Sequence, residues 1–287
     1  MPRSSRPGRI GRLIHPVSRR PVLLIGVCIA LLGAQPTQDR EIGVLVLKEH
    51  GVGSPTLAQP YVERFVGIAA QQNGWPGAKG EYFTSRAPAE AFIASHEPHY
   101  GILSLAAFLG LREKYRLDVI GRVVSSLVGG QQYFVVSRSA SDLAECKGKR
   151  LASDHTDDPR FVERVIARGA FELSEFTVIQ NQRPLLSLKQ VITGQADCAL
   201  IDDAQLAELS HIEGGGDVEV VWTSRELPAM TLVAFPAAPA AERKKFRENL
   251  GRVCAGDGQT ACAEVGIRSL EIATAPEYAD LLSAYGK

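Results

Sequence analysis

A short sequence occurs twice in similar form in this chain, and the repeat limits the possible folds more than any other feature. Tyr61-Val-Glu-Arg-Phe-Val66 is followed 100 residues later by Phe161-Val-Glu-Arg-Val-Ile166. Around both copies the apolar patterns predict the same succession of strand, long helix, strand, short helix and strand. The long helices are expected at about 60–72 and 159–169, and continuous apolar runs predict strands at 41–47 and 100–105. Such alternation with short connections is typical of α/β layers with mostly parallel sheets. The sequence therefore predicts two similar α/β lobes.

The end of the chain predicts how the lobes are connected. A strand at 230–235 and helices near 239–252 and 275–284 follow the second series, and this segment is too long for lobe two alone. We expect it to return to lobe one, so that two chain crossings form a hinge. The predicted parts are lobe one at 40–128 and 231–287, lobe two at 129–230, and crossings near 126–132 and 224–231.

Residues 1–34 have the composition of an export signal. They carry six arginines and no acidic residue, and their apolar run at 21–34 is fourteen residues long. Such a run is short for a membrane span and suits the core of a signal peptide. We therefore predict a signal peptide at 1–34 and a periplasmic protein, with an uncleaved N-terminal anchor as the alternative. The pair Arg19-Arg20 leaves the export route open between the Sec and twin-arginine pathways.

The charge balance argues against one class of partner. The chain has 32 basic and 32 acidic residues, and without the six leader arginines the net charge is 26 − 32 = −6. A chain of that sign has no basic surface for nucleic acid. Its hydrophobic fraction of 45% is sufficient for a folded core. We therefore expect a globular protein that binds no nucleic acid.

Four cysteines lie beyond the predicted leader, at 146, 198, 254 and 262. Export would place them in an oxidising compartment, where disulfides persist. A short loop with two glycines joins Cys254 to Cys262, so we predict a disulfide between them. Free thiols are the alternative, and a metal site is disfavoured because the chain has no CxxC pair and no neighbouring histidine. The pairing of Cys146 and Cys198 stays open.

Three segments resemble motifs of one family, and they occur in the family's order. Segment 142–153 (DLAECKGKRLAS) resembles its "DLKGKRIAF" stretch, 193–202 (TGQADCALID) its "xGxADAAxxD" stretch, and 222–230 (WTSRELPAM) its "WxSxxLPxxP" stretch. The family is that of phosphonate-binding-like periplasmic receptors for ABC importers. The resemblance covers about 40–285.

This resemblance implies a fold and a function. The fold is the type II periplasmic-binding-protein fold, with two α/β lobes that close on a ligand. The function is that of a receptor that captures a small solute, expected to be phosphate- or phosphonate-like, and delivers it to a membrane ABC permease. We expect a monomer without a cofactor.

The strand ends predict where the ligand lies. In doubly wound sheets, ligands bind beyond the carboxyl ends of the strands, where helices present free N–H groups. The loops after the first and third strands, the loop after 150–153 and the hinge fall there, and the resemblance adds a carboxylate at position 202 for a ligand amine. The candidate ligand-binding residues are His50, Ser54, Ser104, Tyr133, Ser153, His155, Thr156, Asp157 and Asp202.

One loop departs from the resembled family. The family carries Ser-Thr-Ser-Gly before the helix of lobe two, and those hydroxyls and amides bind phosphonate oxygens. This chain has His155-Thr-Asp-Asp158 instead. Two carboxylates that faced the cleft would repel an anion, whereas carboxylates that only cap the helix would not. We expect them to face outward, and the charge of the solute stays open.

Other motifs predict no chemistry. Gly51-Val-Gly-Ser-Pro-Thr56 lacks the third glycine of a dinucleotide loop, and Pro98 prevents His96 and His99 from sharing a helix face as metal ligands. The chain has no G-x-S-x-G hydrolase motif. We therefore expect no enzyme and no metal. An enzyme on the same scaffold remains an alternative, because 155–158 is a dense titratable cluster, and so does a ligand-sensing partner of a membrane kinase.

Overall fold

The computed structural model describes residues 41–51, 54–228 and 230–286, so the predicted leader lies outside the described residues. The strands are β1 Ile42–Leu47, β2 Ala78–Phe83, β3 Tyr100–Ser104, β4 Asp118–Ser125, β5 Tyr133–Ser137, β6 Arg150–Ser153, β7 Thr177–Gln180, β8 Cys198–Asp202, β9 Glu219–Thr223, β10 Met230–Ala234 and β11 Ile267–Glu271. The α-helices are α1 Pro55–Asn73, α2 Arg86–His96, α3 Leu105–Tyr115, α4 Leu143–Cys146, α5 Pro184–Ile192, α6 Asp203–Glu208, α7 Ala240–Val253, α8 Gly258–Glu264 and α9 Ala279–Tyr285. A π-helical segment spans Phe161–Ala167, and none of the described helices is long and apolar enough to cross a membrane.

The strands form two sheets of related topology. The first has the order β2-β1-β3-β10-β4-β11, and the second has the order β7-β6-β8-β5-β9. In each sheet three parallel strands are followed by a strand that arrives from the other sheet. The chain passes to the second sheet through 126–132 and returns between Thr223 and Met230. Two α/β lobes with two crossings, as predicted, are therefore present.

The expectation of mostly parallel sheets is wrong. Within each trio the strands pair in parallel. β10 is antiparallel to β3 and β4, and β5 is antiparallel to β8 and β9. The two strands enter their sheets directly from the hinge, at the carboxyl edge of the parallel trio, and so they must run in the opposite direction.

The repeated sequence forms the first long helix of each lobe. In α1, Val62, Phe65 and Val66 are buried at helical spacing. The helix begins at Pro55 and not at Pro60. Pro55 lies in the first turn, where proline is tolerated, whereas Pro60 lies inside the helix. The predicted helix at 159–169 contains the π-helical segment.

Two disulfides cross-link separate parts of the fold. Cys254 and Cys262 are bonded as predicted, and they join the end of α7 to α8 with their Cα atoms 5.5 Å apart. Cys146 and Cys198 are also bonded, and they join α4 to β8 with their Cα atoms 6.1 Å apart. The second pair closes the core of lobe two, where both cysteines are fully buried.

Candidate functional site

A cavity of about 260 Å³ lies between the two sheets. Residues that follow β1 and β3 line it from lobe one, and residues that follow β6 and β8 line it from lobe two. The first crossing, including Gly129 and Gly130, forms a further wall. The cavity therefore occupies the place that the strand-end rule predicts for a ligand.

The structure brings six of the nine predicted ligand-binding residues to this cavity: His50, Ser104, Tyr133, His155, Asp157 and Asp202. The other three do not line it. Ser54 is exposed at the start of α1. The Ser153 hydroxyl is buried and donates to the Leu200 carbonyl at 2.8 Å. The Thr156 hydroxyl is buried without a hydrogen-bond partner among the described residues.

Arg86, at the start of α2, connects the two lobes and was not predicted from the sequence. Its Nε and Nη2 donate to Glu49 Oε1 and Oε2, at 2.7 and 3.0 Å, which is a two-pronged pair within lobe one. Its Nη1 donates to Asp158 Oδ2 of lobe two at 3.0 Å. Burial opposes the charge of Arg86, but the two carboxylates outweigh it and raise its pKa above the ordinary value. One guanidinium thus links carboxylates from both sides of the cavity.

The expectation that Asp157 and Asp158 face outward is wrong, because both line the cavity. Asp158 also caps its helix: its Oδ1 accepts the Phe161 N–H at 3.1 Å, while its Oδ2 accepts from Arg86 and, at 3.0 Å, from the Tyr285 hydroxyl. Capping and facing the cavity are compatible, since the two oxygens point to different partners. The helix start that would attract an anion thus already holds the protein's own carboxylate.

Asp157 pairs across the cavity with His50. Asp157 Oδ1 lies 3.3 Å from His50 Nε2. Burial lowers the pKa of His50, but the hydrogen bond to Asp157 and the charges of Asp157 and Asp154 outweigh it, so the pKa is raised. Burial also opposes the charge of Asp157 and by itself would raise its pKa, but the hydrogen bond to His50 and the charge of His50 outweigh burial, so the pKa of Asp157 is lowered. Both shifts favour the charged pair.

The carboxylates of Asp202 and Asp203 fasten the first crossing. Asp202 Oδ2 accepts the Gly130 N–H at 3.1 Å, and Asp203 Oδ2 accepts the Gly129 N–H at 2.9 Å. Both glycines have positive φ, 136° and 74°, which turns these N–H groups toward the carboxylates. The other Asp202 oxygen caps α6 by accepting the Gln205 N–H at 2.9 Å, and burial raises the pKa of Asp202. Its predicted role toward a ligand amine stays a prediction.

The cavity wall is negative overall. With neutral histidines, the lining residues carry two positive and five negative charges, 2 − 5 = −3. Lys48 has no ion-pair partner within the described part of the chain, whereas Arg86 is fully engaged. The charged lining residues are Lys48, Arg86, Glu49, Asp157, Asp158, Asp202 and Glu208. A bound anion would therefore meet net repulsion from this wall.

Several solved structures share this architecture. A binding protein component of an ABC phosphonate transporter from Pseudomonas aeruginosa is 16% identical, with a TM-score of 0.61 over 83% of each chain. XAC2383 from Xanthomonas citri, bound to chloride ion, is 11% identical, with a TM-score of 0.67 over 85% of this chain and 96% of that one. PhnD1 from Prochlorococcus marinus, in complex with methylphosphonate, is 10% identical, with a TM-score of 0.63 over 86% of this chain and 97% of that one.

The chain has the fold of type II periplasmic binding proteins. The fold expected from the motif resemblance is thereby confirmed, and at these identities the likeness concerns the fold. No protein-family model matches the chain, and no curated protein matches it in sequence.

Proposed function

We propose that this protein is an extracytoplasmic receptor, located in the periplasm, that binds a small solute and delivers it to a membrane ABC permease. The observation that carries the proposal is the cavity between two hinged lobes, whose walls are joined by Arg86–Asp158 and His50–Asp157. Hinged lobes that share a ligand site can couple binding to closure, and a permease can read the closed form. The cavity volume of about 260 Å³ suits a small molecule.

The charge of the wall supports a solute that carries positive charge. A cation gains from the net negative charge of the lining residues, which is −3 with neutral histidines and −2 with His50 charged, while an anion must overcome it. Asp158 also occupies the helix start where an oxyanion would bind in this kind of fold. The proposed class is therefore a small amine or another cation-bearing solute.

A phosphate- or phosphonate-like solute is the second candidate. The motif resemblance supports it, as does a neighbour in fold that was solved with methylphosphonate. Within the cavity, Lys48 supports it as well, because its ammonium lacks an ion-pair partner among the described residues. Lys48 would have to offset Asp157 and Asp158 at the same site.

A thermal-shift screen in EDTA tests both classes, because a ligand of the native state raises the melting temperature by mass action. The panel contains phosphate, methylphosphonate, a sulfonate and small primary amines, and calorimetry follows each hit. The expected result is stabilisation by an amine that Asp157→Asn weakens about tenfold, corresponding to about 1.4 kcal/mol. Asp217→Asn is the matched control, since Asp217 pairs with Arg138 on the surface of lobe two.

Three results would count against these proposals. Tight methylphosphonate binding that survives EDTA would replace the cationic class with the anionic one. If no solute in a broad screen stabilises the protein, or if a hit binds equally well to a variant that blocks the cavity, such as Ala106→Trp, the receptor proposal itself fails. Ala106 lines the cavity at the start of α3.

A further inference from the structure

We propose that His50, Asp154 and His155 form a binding site for one divalent transition-metal ion such as Zn²⁺, shared between the two lobes. His50 follows β1 of lobe one, whereas Asp154 and His155 follow β6 of lobe two. One candidate ligand atom from each residue lies within 4.8 Å of the other two. The metal site stands on this geometry alone, and its coupling to lobe closure rests on the proposed receptor function.

The distances approach those of a coordination sphere. His50 Nδ1 lies 3.8 Å from Asp154 Oδ2, and the two imidazole rings are 4.7 Å apart in an edge-to-face arrangement. Around a tetrahedral Zn²⁺ with bonds of about 2.0–2.1 Å, ligand atoms are separated by about 3.3 Å. The separations of up to 4.8 Å would therefore have to shorten by up to about 1.5 Å for the three atoms to enclose an ion.

The hydrogen bonds leave Nδ1 of each histidine without a proton. The His155 nitrogen that lies toward Asp154, 3.8 Å from its Oδ1, is Nε2, so the His155 ring has to reorient to present Nδ1 to an ion. Gln205 Oε1, which also accepts the Asp202 N–H, lies 3.0 Å from His155 Nε2. An amide oxygen only accepts, so His155 Nε2 carries the proton and neutral His155 has its lone pair on Nδ1. His50 Nε2 faces the Asp157 carboxylate at 3.3 Å in the same way, which leaves Nδ1 for a metal. Metal-binding histidines usually have such an acceptor on their second nitrogen.

Asp154 supplies an oxygen with no other role. Its side chain is only 2% exposed, and Oδ1 accepts from the Gln205 amide at 3.0 Å. Oδ2 is buried without a hydrogen-bond partner among the described residues, and it lies toward His50 Nδ1. A buried carboxylate oxygen without a donor is costly, and a cation at this position would satisfy it.

The ligand set selects the kind of metal. Two imidazole nitrogens and one carboxylate oxygen suit Zn²⁺ and its neighbours in the first transition row, whereas Ca²⁺ and Mg²⁺ prefer oxygen ligands. Three protein ligands leave one position open. His50 and His155 line the cavity, so an ion bound to them would lie at its wall and would offset part of the negative charge there.

The experiment measures metal binding without any solute. The protein is purified without an affinity tag, freed of metal with EDTA, and titrated with ZnCl₂ by calorimetry and with CoCl₂ by visible absorption. We expect one ion per chain and the d–d spectrum of tetrahedral or five-coordinate Co²⁺. His50→Asn and Asp154→Asn should each weaken Zn²⁺ binding about 100-fold or more, and Asp157→Asn about tenfold.

The variants and controls keep the result decisive. Asparagine suits position 50, where φ is 58°, and melting curves in EDTA check that each variant is folded. His211→Asn is the matched control, because His211 is exposed and its imidazole pairs with Glu208 on the surface. Should Asp154→Asn unfold, His50→Asn decides alone.

Absence of stoichiometric binding, or binding that His50→Asn leaves unchanged, would overturn the metal site. Solute binding measured in EDTA reports on the receptor proposal separately. In the unmodified protein, absent Zn²⁺ binding together with solute binding would refute the metal site alone, and Zn²⁺ binding without any solute binding would refute the receptor proposal alone.

Discussion

At the residue scale, Arg86 decides how the cavity is built. Glu49 is only 3% exposed and depends on the Arg86 fork for its charge balance. Arg86→Met should therefore destabilise the protein by about 3–5 kcal/mol, because a buried carboxylate loses its partner. Arg86→Met combined with Glu49→Gln should restore part of that loss. Urea unfolding of the single and double variants measures the coupling.

The control for this prediction is Arg138→Met, which breaks the exposed pair with Asp217. Such surface pairs contribute about 0–1 kcal/mol. Equal effects of Arg86→Met and Arg138→Met would show that the buried fork has no special weight. No motif could have identified Arg86, since its partners Glu49 and Asp158 are 37 and 72 residues away in the sequence. Only the fold brings them together.

A second residue-scale prediction concerns pH. The Asp197 carboxylate accepts hydrogen bonds from Arg150 Nε and Nη2 at 2.9 and 3.1 Å, and from the backbone N–H of Arg150 at 3.0 Å. These hydrogen bonds lower the pKa of Asp197 to about 2. Since this value is below the unfolded value of about 3.9, the stabilisation is complete above about pH 4 and is lost as the pH falls through about 2. Asp197→Asn should therefore lower the free energy of unfolding more at pH 7 than at pH 3. The loss at pH 7 should be at most about 1 kcal/mol, because the pair is partly exposed. Urea unfolding at both pH values measures this, and a difference that grows toward pH 3 would contradict it.

At the element scale, the sequence predicted most strands and helices but not their directions. Continuous apolar runs identified β1 and β3, and helical spacing identified α1, because burial on both faces or on one face leaves a pattern within a single segment. The direction of β5 and β10 depends on the hinge and leaves no local pattern. Helix α8 and strand β11 were not predicted. Helix α8 has only seven residues, too few for a clear periodic pattern, and the Cys254–Cys262 disulfide connects it to the end of α7.

The two disulfides should differ in their contribution to stability. The residues of the Cys146–Cys198 pair are 52 apart in sequence, against 8 for Cys254–Cys262. In the chain-entropy description, the longer loop stabilises by about 4 kcal/mol and the shorter by about 2.5 kcal/mol. Double alanine variants of each pair, unfolded in urea, measure both values. The order is the prediction, so a larger loss for the Cys254/Cys262 variant would contradict it.

At the scale of the whole molecule, contacts between the lobes extend beyond the hinge. The C-terminal helix α9 contacts both α3 of lobe one and the π-helical segment of lobe two. Asp280 at its start pairs with Arg168 and Arg225, at 3.4 and 3.0 Å. From the sequence we placed this segment in lobe one, and its contact with lobe two was not predicted. Periodicity shows that a helix has a buried face but not which surface covers that face. Six of the nine candidate site residues line the cavity. They could be predicted because the rule that ligands bind beyond the carboxyl ends of strands needs only the strand boundaries.

The ion pairs across the cavity should hold the lobes together in the absence of solute. Arg86–Asp158 is partly buried, with side chains 27% and 11% exposed, so salt screens it weakly. Asp158→Asn keeps the acceptor oxygen that caps the helix but removes the charge that attracts Arg86. We therefore expect this variant to populate a more open form, seen as a larger radius of gyration in small-angle scattering. Asp217→Asn, which removes an ion pair within lobe two, should leave the scattering unchanged. An Asp158→Asn profile identical to that of the unmodified protein, at low and at high salt, would mean that lobe packing and α9, rather than the charges in the cavity, set the separation of the lobes.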